Sequence, residues 1–323
     1  MARRLISSTK SEIREMSAQE LKASIRASEG RVILAQNYVM HEPLVQGTTN
    51  AEVSEAFGAD MVFFNGYPMD ETAEIPAFNV NVYENGDYID KQYRMKDMKK
   101  LCSGPLGIYL ECGCGDDPTA STTVQNTPLV RTDRIASDEN LKKVLTEEAD
   151  FIVLAGNPGT GTTIEGIIDA TQRAKKILGD DVMIWAGKWE DGVKEKVLGD
   201  PTAAFDSKDI IKRLIDAGAD AICLPMPGSR TGITVDMIRE LVEFTHTYKE
   251  GTLAMSFLDG SVEGSDTETV RMCTLMSKQT GADIHAIGDA GLCGMSVPED
   301  IYQMAMTTKG RRLSWLKMAA GKR

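Results

Sequence analysis

A three-residue phrase recurs four times and constrains the fold of this chain more than any other feature. Gly58-Ala-Asp60 stands before Met61-Val-Phe-Phe-Asn65, and Glu148-Ala-Asp150 before Phe151-Ile-Val-Leu-Ala155. Gly218-Ala-Asp220 stands before Ala221-Ile-Cys-Leu-Pro225, and Gly281-Ala-Asp283 before Ile284-His-Ala-Ile-Gly288. Each phrase follows a helical pattern. Glycine at that place ends a helix in a left-handed turn, and a small alanine fits where helix meets sheet. Four further apolar runs alternate with these, at 32–36, 106–110, 182–186 and 252–256. All eight runs are short and apolar without alternation, the pattern of strands buried on both faces of a parallel sheet. Helical segments separate them. Eight βα units predict an α/β chain folded as a (β/α)8 TIM barrel, with residues 1–323 as one domain. The competing arrangement, an open doubly wound sheet, does not naturally place eight strands of such even rhythm in one sheet.

The flanking segments agree. Ser17-Ala-Gln-Glu20 is a capping-box pattern ahead of Leu21 and Ile25, and predicts an N-terminal helix closing the barrel from below. Thr49-Asn-Ala-Glu52 predicts a second capped helix through Phe57. Turns into the strands are tight, whereas two segments leaving them are long. Residues 66–105 follow the second strand and include Asn85-Gly86, a hairpin signal between Val80, Val82 and Tyr88, Ile89. Residues 111–137 follow the third strand and are rich in Thr, Gly and Asp. Both lie on the active face, either as a lid or as an arm between subunits of a homo-oligomer.

The formal net charge of -12 argues against nucleic acid as a partner. No run approaches the roughly 18–20 apolar residues of a membrane span, and no apolar signal core follows Met1-Ala-Arg-Arg-Leu-Ile6. These features predict a cytoplasmic protein without a membrane partner. Of the six cysteines only Cys112-Gly-Cys114 is a close pair, and no paired CxxC zinc pattern exists. Cys223 and Cys273 read as core thiols, and no structural disulfide is expected. The tail from Lys309 carries Arg311, Arg312, Lys317, Lys322 and Arg323. Leu313, Trp315, Leu316 and Met318 offer it an apolar stripe to pack.

The ends of the strands give a candidate ring: Gln36, Asn37, Asn65, Glu111, Asn157, Lys188, Arg230, Asp259 and Asp289. Lys188 could form a Schiff base, steady an enolate or serve as an ion-pair partner. Glu111, Asp259 and Asp289 could transfer protons or hold a divalent cation such as Mg2+. Arg230, in a Gly/Ser/Pro loop, suits capture of phosphate or carboxylate. The loop Asn157-Pro-Gly-Thr-Gly-Thr-Thr163 opens a helix through Thr162-Thr-Ile-Glu165. It reads either as an anion nest or as a plain cap, and it lacks the lysine of a P-loop. After the seventh strand, Ser265-Asp-Thr-Glu268 caps the helix that follows. The amides of Gly264 and Ser265, with Gly288 and Gly291 of Gly288-Asp-Ala-Gly291, form the strand-seven and strand-eight pair that many barrels use for phosphate. His246 and His285 read as structural, and His41 as an exposed loop residue.

Ala35-Gln36-Asn37, Thr49-Asn-Ala-Glu-Val53 with Ala56-Phe-Gly-Ala-Asp60, and Gly288-Asp-Ala-Gly291 resemble uncharacterised bacterial barrel proteins. That group is labelled phosphoenolpyruvate phosphonomutase-like or haloacid dehalogenase-like, and the likeness covers nearly the whole chain. The second label requires an Asp-x-Asp nucleophile loop after an early strand, which is missing. The nearest stretch to the phosphonomutase and isocitrate lyase signature, Lys-Lys/Arg-Cys-Gly-His, is Lys99-Lys-Leu-Cys-Ser-Gly104, which lacks the Gly-His. The resemblance implies a barrel and phosphorylated or carboxylated ligands, with no catalytic residue carried over. The expectation is a lyase or isomerase acting on a small phosphorylated carbon compound. A non-catalytic metabolite sensor or scaffold, and a glycoside hydrolase using paired carboxylates, are the alternatives.

Overall fold

The computed structural model describes residues 3–112, 130–157, 160–190 and 195–320. Its centre is a closed barrel of eight parallel strands: β1 (Val32–Tyr38), β2 (Met61–Asn65), β5 (Leu106–Glu111), β6 (Phe151–Ala155), β7 (Met183–Gly187), β8 (Ala221–Pro225), β9 (Leu253–Leu258) and β10 (Ile284–Ile287). The expected TIM barrel is therefore present. The remaining strands, β3 (Asn79–Glu84) and β4 (Asp87–Gln92), form an antiparallel hairpin within residues 66–105. Asn85 and Gly86 both take positive φ at its tip, as a type I′ turn requires.

Strand residues point alternately into the barrel and toward the helices. Val32, Leu34, Met61, Phe63, Tyr109, Phe151, Val153, Trp185, Met255 and Phe257 share one interior cluster. Leu5, Ile6, Leu21 and Ile25 join it, because α2 (Ala18–Ala27) plugs the barrel from below. Ser17 caps α2 in the expected capping box with Glu20, and Thr49 does the same with Glu52 for α3 (Asn50–Ala56). The outward strand residues pack on α5 (Asp138–Thr146), α6 (Ile164–Leu178), α7 (Ser207–Ala217) and α8 (Val235–Tyr248). On the side nearest β1 and β10 they pack on α9 (Thr267–Thr280) and α10 (Pro298–Ala320).

The repeated phrase has a second job that the sequence did not disclose. Each of its aspartates accepts a backbone amide at the start of the preceding barrel strand. Asp60 Oδ2 accepts from Ile33 N (2.8 Å), Asp150 Oδ2 from Leu106 N (2.8 Å), Asp220 Oδ2 from Ile184 N (3.0 Å) and Asp283 Oδ2 from Ala254 N (2.8 Å). The parallel ladder leaves those donors without a backbone acceptor, and a buried amide must be paired. Each aspartate also meets a basic group: Lys309, Lys99, Lys22 and His246 respectively.

Several boundaries differ from expectation. The cap of α6 is Thr163, not Thr162, and that of α9 is Asp266, not Ser265; in both the side chain reaches an amide three residues on. Within α10 the chain kinks at Gly310. The tail stripe is corrected: Trp315 and Leu316 are exposed, and the inward positions include Ser314 and Lys317. Lys309, at the head of that tail, has its side chain fully buried against Asp60. Cys223 and Cys273 are buried free thiols, as expected. Residues 113–129 of the long loop, with Cys114, lie outside the described residues, as do Pro158, Gly159, Lys322 and Arg323. No helix among the described residues is long and apolar enough to cross a membrane.

Candidate active site

Inward-pointing residues at the upper strand ends line a cavity of about 370 Å³. Its walls include Asn65, Tyr109, Glu111, Asn157, Thr160 and Asp289, with Tyr38 and Arg134 at its side. Parity along the strands explains the membership. Gln36 continues the inward series of Val32 and Leu34, while Asn37 falls on the outer series. Asn37 accordingly donates to Ser54 Oγ of α3 at 3.2 Å, so it does not belong to the site.

Glu111 ends β5 facing inward and is buried. Its Oε2 accepts from the Asn157 amide at 3.0 Å, and the Asn157 side chain donates to Oε1. Thr160 Oγ1 is 3.4 Å away, and the Tyr109 hydroxyl supplies a further hydrogen bond. Burial raises the carboxyl to about 7, and these donors only partly offset it. Opposite, Asp289 Oδ2 accepts from Gln36 Nε2 (2.6 Å) and Asn65 Nδ2 (3.0 Å). Burial dominates again and lifts Asp289 to about 6, with those two amide groups holding it down and Asp259 adding to the rise. The cavity thus holds two carboxyls that burial lifts toward neutrality.

Asp259 sits beside this pair in a second polar layer. Its Oδ2 accepts from Trp189 Nε1 (2.8 Å) and its Oδ1 from the Gly260 amide (2.7 Å). Burial and the neighbouring Asp259 carboxylate push Glu190 and Glu263 upward. Neither Trp189, Glu190 nor Glu263 was singled out by sequence. Trp189 lies two residues beyond inward-facing Gly187, so strand parity was the available signal.

Three expectations are corrected here. Lys188 does not line the cavity; its ammonium donates to the Glu190 carbonyl at 2.6 Å. Arg230 is engaged within the protein, donating through Nε to the Trp189 carbonyl (3.1 Å) and facing Glu190 Oε1 at 3.5 Å. The amide cradle after strands seven and eight is internally bonded. Gly264 N donates to Ser261 O, Ser265 N to Val262 O and Gly288 N to Leu258 O. The fully buried carboxyl of Glu263 accepts the Ala290 amide there, at 3.3 Å. Gly288 is required because a Cβ would stand 2.6 Å from Glu263 Oε1, and Gly291 presses against the backbone of 295–297.

The histidines behave as expected. His285 donates through Nε2 to Gly30 O (3.0 Å) and accepts at Nδ1 from Ser277 Oγ (2.7 Å), a satisfied core residue that burial lowers to about 4. His41 is exposed beside Tyr38, with ring centroids 5.3 Å apart. Among the described residues no three His, Cys, Asp or Glu side chains are grouped to hold a metal ion.

The fold and the site together define a (β/α)8 barrel with two buried carboxyls on a pocket at its upper mouth. The chain belongs to the family described as "Domain of unknown function (DUF7916)", which matches residues 6–323. No curated protein matches it in sequence. Among solved structures it is similar to an archaeal fructose 1,6-bisphosphate aldolase, with 15% identity and a TM-score of 0.53 over 91% of this chain and 100% of that one. It is also similar to the carboxyl transferase domain of Rhizobium etli pyruvate carboxylase, with 11% identity and a TM-score of 0.51 over 97% of this chain and 51% of that one. A 2,3-dimethylmalate lyase of the PEP mutase/isocitrate lyase superfamily matches at 13% identity and a TM-score of 0.47, over 86% of this chain and 82% of that one. Likenesses this distant show the fold alone.

Proposed function

We propose that the protein is a lyase or isomerase that moves a proton on a small anionic carbon compound, phosphorylated or carboxylated. The observation that carries this reading is the pair Glu111 and Asp289, two buried carboxyls on one cavity, lifted by burial to about 7 and about 6. A general acid–base catalyst works best when its pKa lies near the working pH. Glu111, the higher of the two, holds a proton for donation, and Asp289, the lower, accepts one. Asn157, Thr160 and Tyr109 fix Glu111, while Gln36 and Asn65 fix Asp289, so both oxygens are positioned before substrate arrives. An aldolase among the structural neighbours agrees with this class of chemistry.

The test is exchange of carbon-bound hydrogen for deuterium, followed by NMR across a panel of hydroxy acids, oxo acids and sugar phosphates. Glu111→Gln and Asp289→Asn should each lower exchange by about a hundredfold or more, with circular dichroism unchanged. Wild-type rates in both variants would end the assignment.

A further inference from the structure

We propose that Arg134 anchors the substrate through a single oxyanionic group, so that the ligand carries one carboxylate or one phosphate rather than two. This rests on reading the 370 Å³ cavity as the active site. Arg134 belongs to the short 3-10 turn Thr132–Arg134, which follows the loop from β5 and precedes α5. Its side chain lines the cavity together with Glu111 and Asp289. Its Nε is buried with no hydrogen-bond partner, and no carboxylate among the described residues pairs with its guanidinium. A buried unpaired donor is costly. A planar guanidinium offers two parallel N–H bonds, and an oxyanion with two oxygens in reach satisfies them together.

The other candidate anion groups are already engaged. Arg230 serves Trp189 O and Glu190, Lys188 donates to Glu190 O, and the amides of Gly264, Ser265 and Gly288 are tied into the backbone. Among the described residues Arg134 is the cation lining this cavity. Among the described residues no second cation lines the cavity, so a further anionic group would lie near Glu111, Asp289 and Asp259. Charge repulsion therefore selects a singly anchored ligand.

Isothermal titration with glycolate, inorganic phosphate, dihydroxyacetone phosphate and fructose 1,6-bisphosphate tests this on the wild type, Arg134→Gln and Arg134→Lys. The expected result is binding of glycolate or of the singly phosphorylated probes, identifying carboxylate or phosphate as the anchored group. That binding should weaken about tenfold to a hundredfold in Arg134→Gln and less in Arg134→Lys. The bisphosphate should bind no tighter than dihydroxyacetone phosphate. Undiminished binding in Arg134→Gln, a bisphosphate bound about tenfold tighter than its singly phosphorylated counterpart, or no binding of any of the four would overturn the proposal. If Arg134→Gln binds normally while Glu111→Gln abolishes deuterium exchange, the anchor falls and the proton-transfer reading stands. The converse result removes the proton-transfer reading and keeps the anchor.

Discussion

Replacing Glu111 by Gln should strengthen the fold and weaken function, by amounts that depend on pH in a defined direction. Glu111 is buried with a folded-state pKa of about 7 against its usual 4.5. Because the folded pKa is raised, the folded state binds more protons than the unfolded chain between those values, and stability falls as pH rises through that window. At about 1.4 kcal/mol per pH unit, the ionised carboxyl costs the fold about 3 kcal/mol at pH 8. At pH 5 folded Glu111 is still protonated and the cost is below about 1 kcal/mol. Glutamine keeps an oxygen for the Asn157 amide and never ionises. Urea denaturation at both pH values reads the difference. Relative to wild type, Glu111→Gln should gain about 2 kcal/mol more at pH 8 than at pH 5, with an unchanged m-value. An advantage equal at the two pH values, or a wild type favoured at pH 8, would refute the argument that burial controls this carboxyl.

Asp60→Ala should cost about 3–5 kcal/mol, because it leaves Lys309 buried and uncompensated and the Ile33 amide unpaired; in chemical denaturation Asp60→Asn/Lys309→Met should be more stable than Asp60→Asn alone. His285, lowered by burial to about 4, is neutral in the fold while the unfolded chain protonates near 6.5, so stability should fall by about 3 kcal/mol as pH drops between those values; His285→Asn should flatten that part of the stability profile. Gly260 takes φ +82°, and a Cβ there would stand 2.1 Å from Arg230 Nη1. Gly260→Ala should cost about 1–3 kcal/mol in thermal denaturation and move Arg230 away from Glu190.

The fold was legible because its signals are local. The recurring turn before each even-numbered barrel strand needs only the residues of that turn, and Gly58, Gly218 and Gly281 all take the left-handed conformation. Glu148 takes it too, at φ 57°, although it has a side chain. Strand ends were legible to within one or two residues, which matters more for a site than for a fold. Asn37 differs from Gln36 by one position, yet the pleat sends one to α3 and the other to Asp289. The caps at Thr163 and Asp266 fell one residue beyond the expected ones, and with that shift the amides of Gly264 and Ser265 closed onto their own turn. Arg134 was not legible at all. Nothing beside it in sequence marks it, and its surroundings are assembled from β2, β5, the loop after β6 and the turn after β10.

The aspartate contacts at the base of the barrel divide the chain in an unexpected way. Each joins two strands consecutive around the barrel, β1 with β2, β5 with β6, β7 with β8, and β9 with β10. None crosses from one couple to the next. A nick in the exposed turn between Asp180 and Asp181 would spare all four and leave two half-barrels of equal strand number. Two of the basic partners do cross that line: Lys22 reaches Asp220, and Lys309 reaches Asp60. The amide contacts therefore lie within each half, while the two lysines are among the contacts that join one half to the other. A cut there would sever the halves' covalent link while leaving those two lysine contacts, the β6–β7 and β1–β10 ladders and the Asp289 hydrogen bonds to Gln36 and Asn65 to hold them.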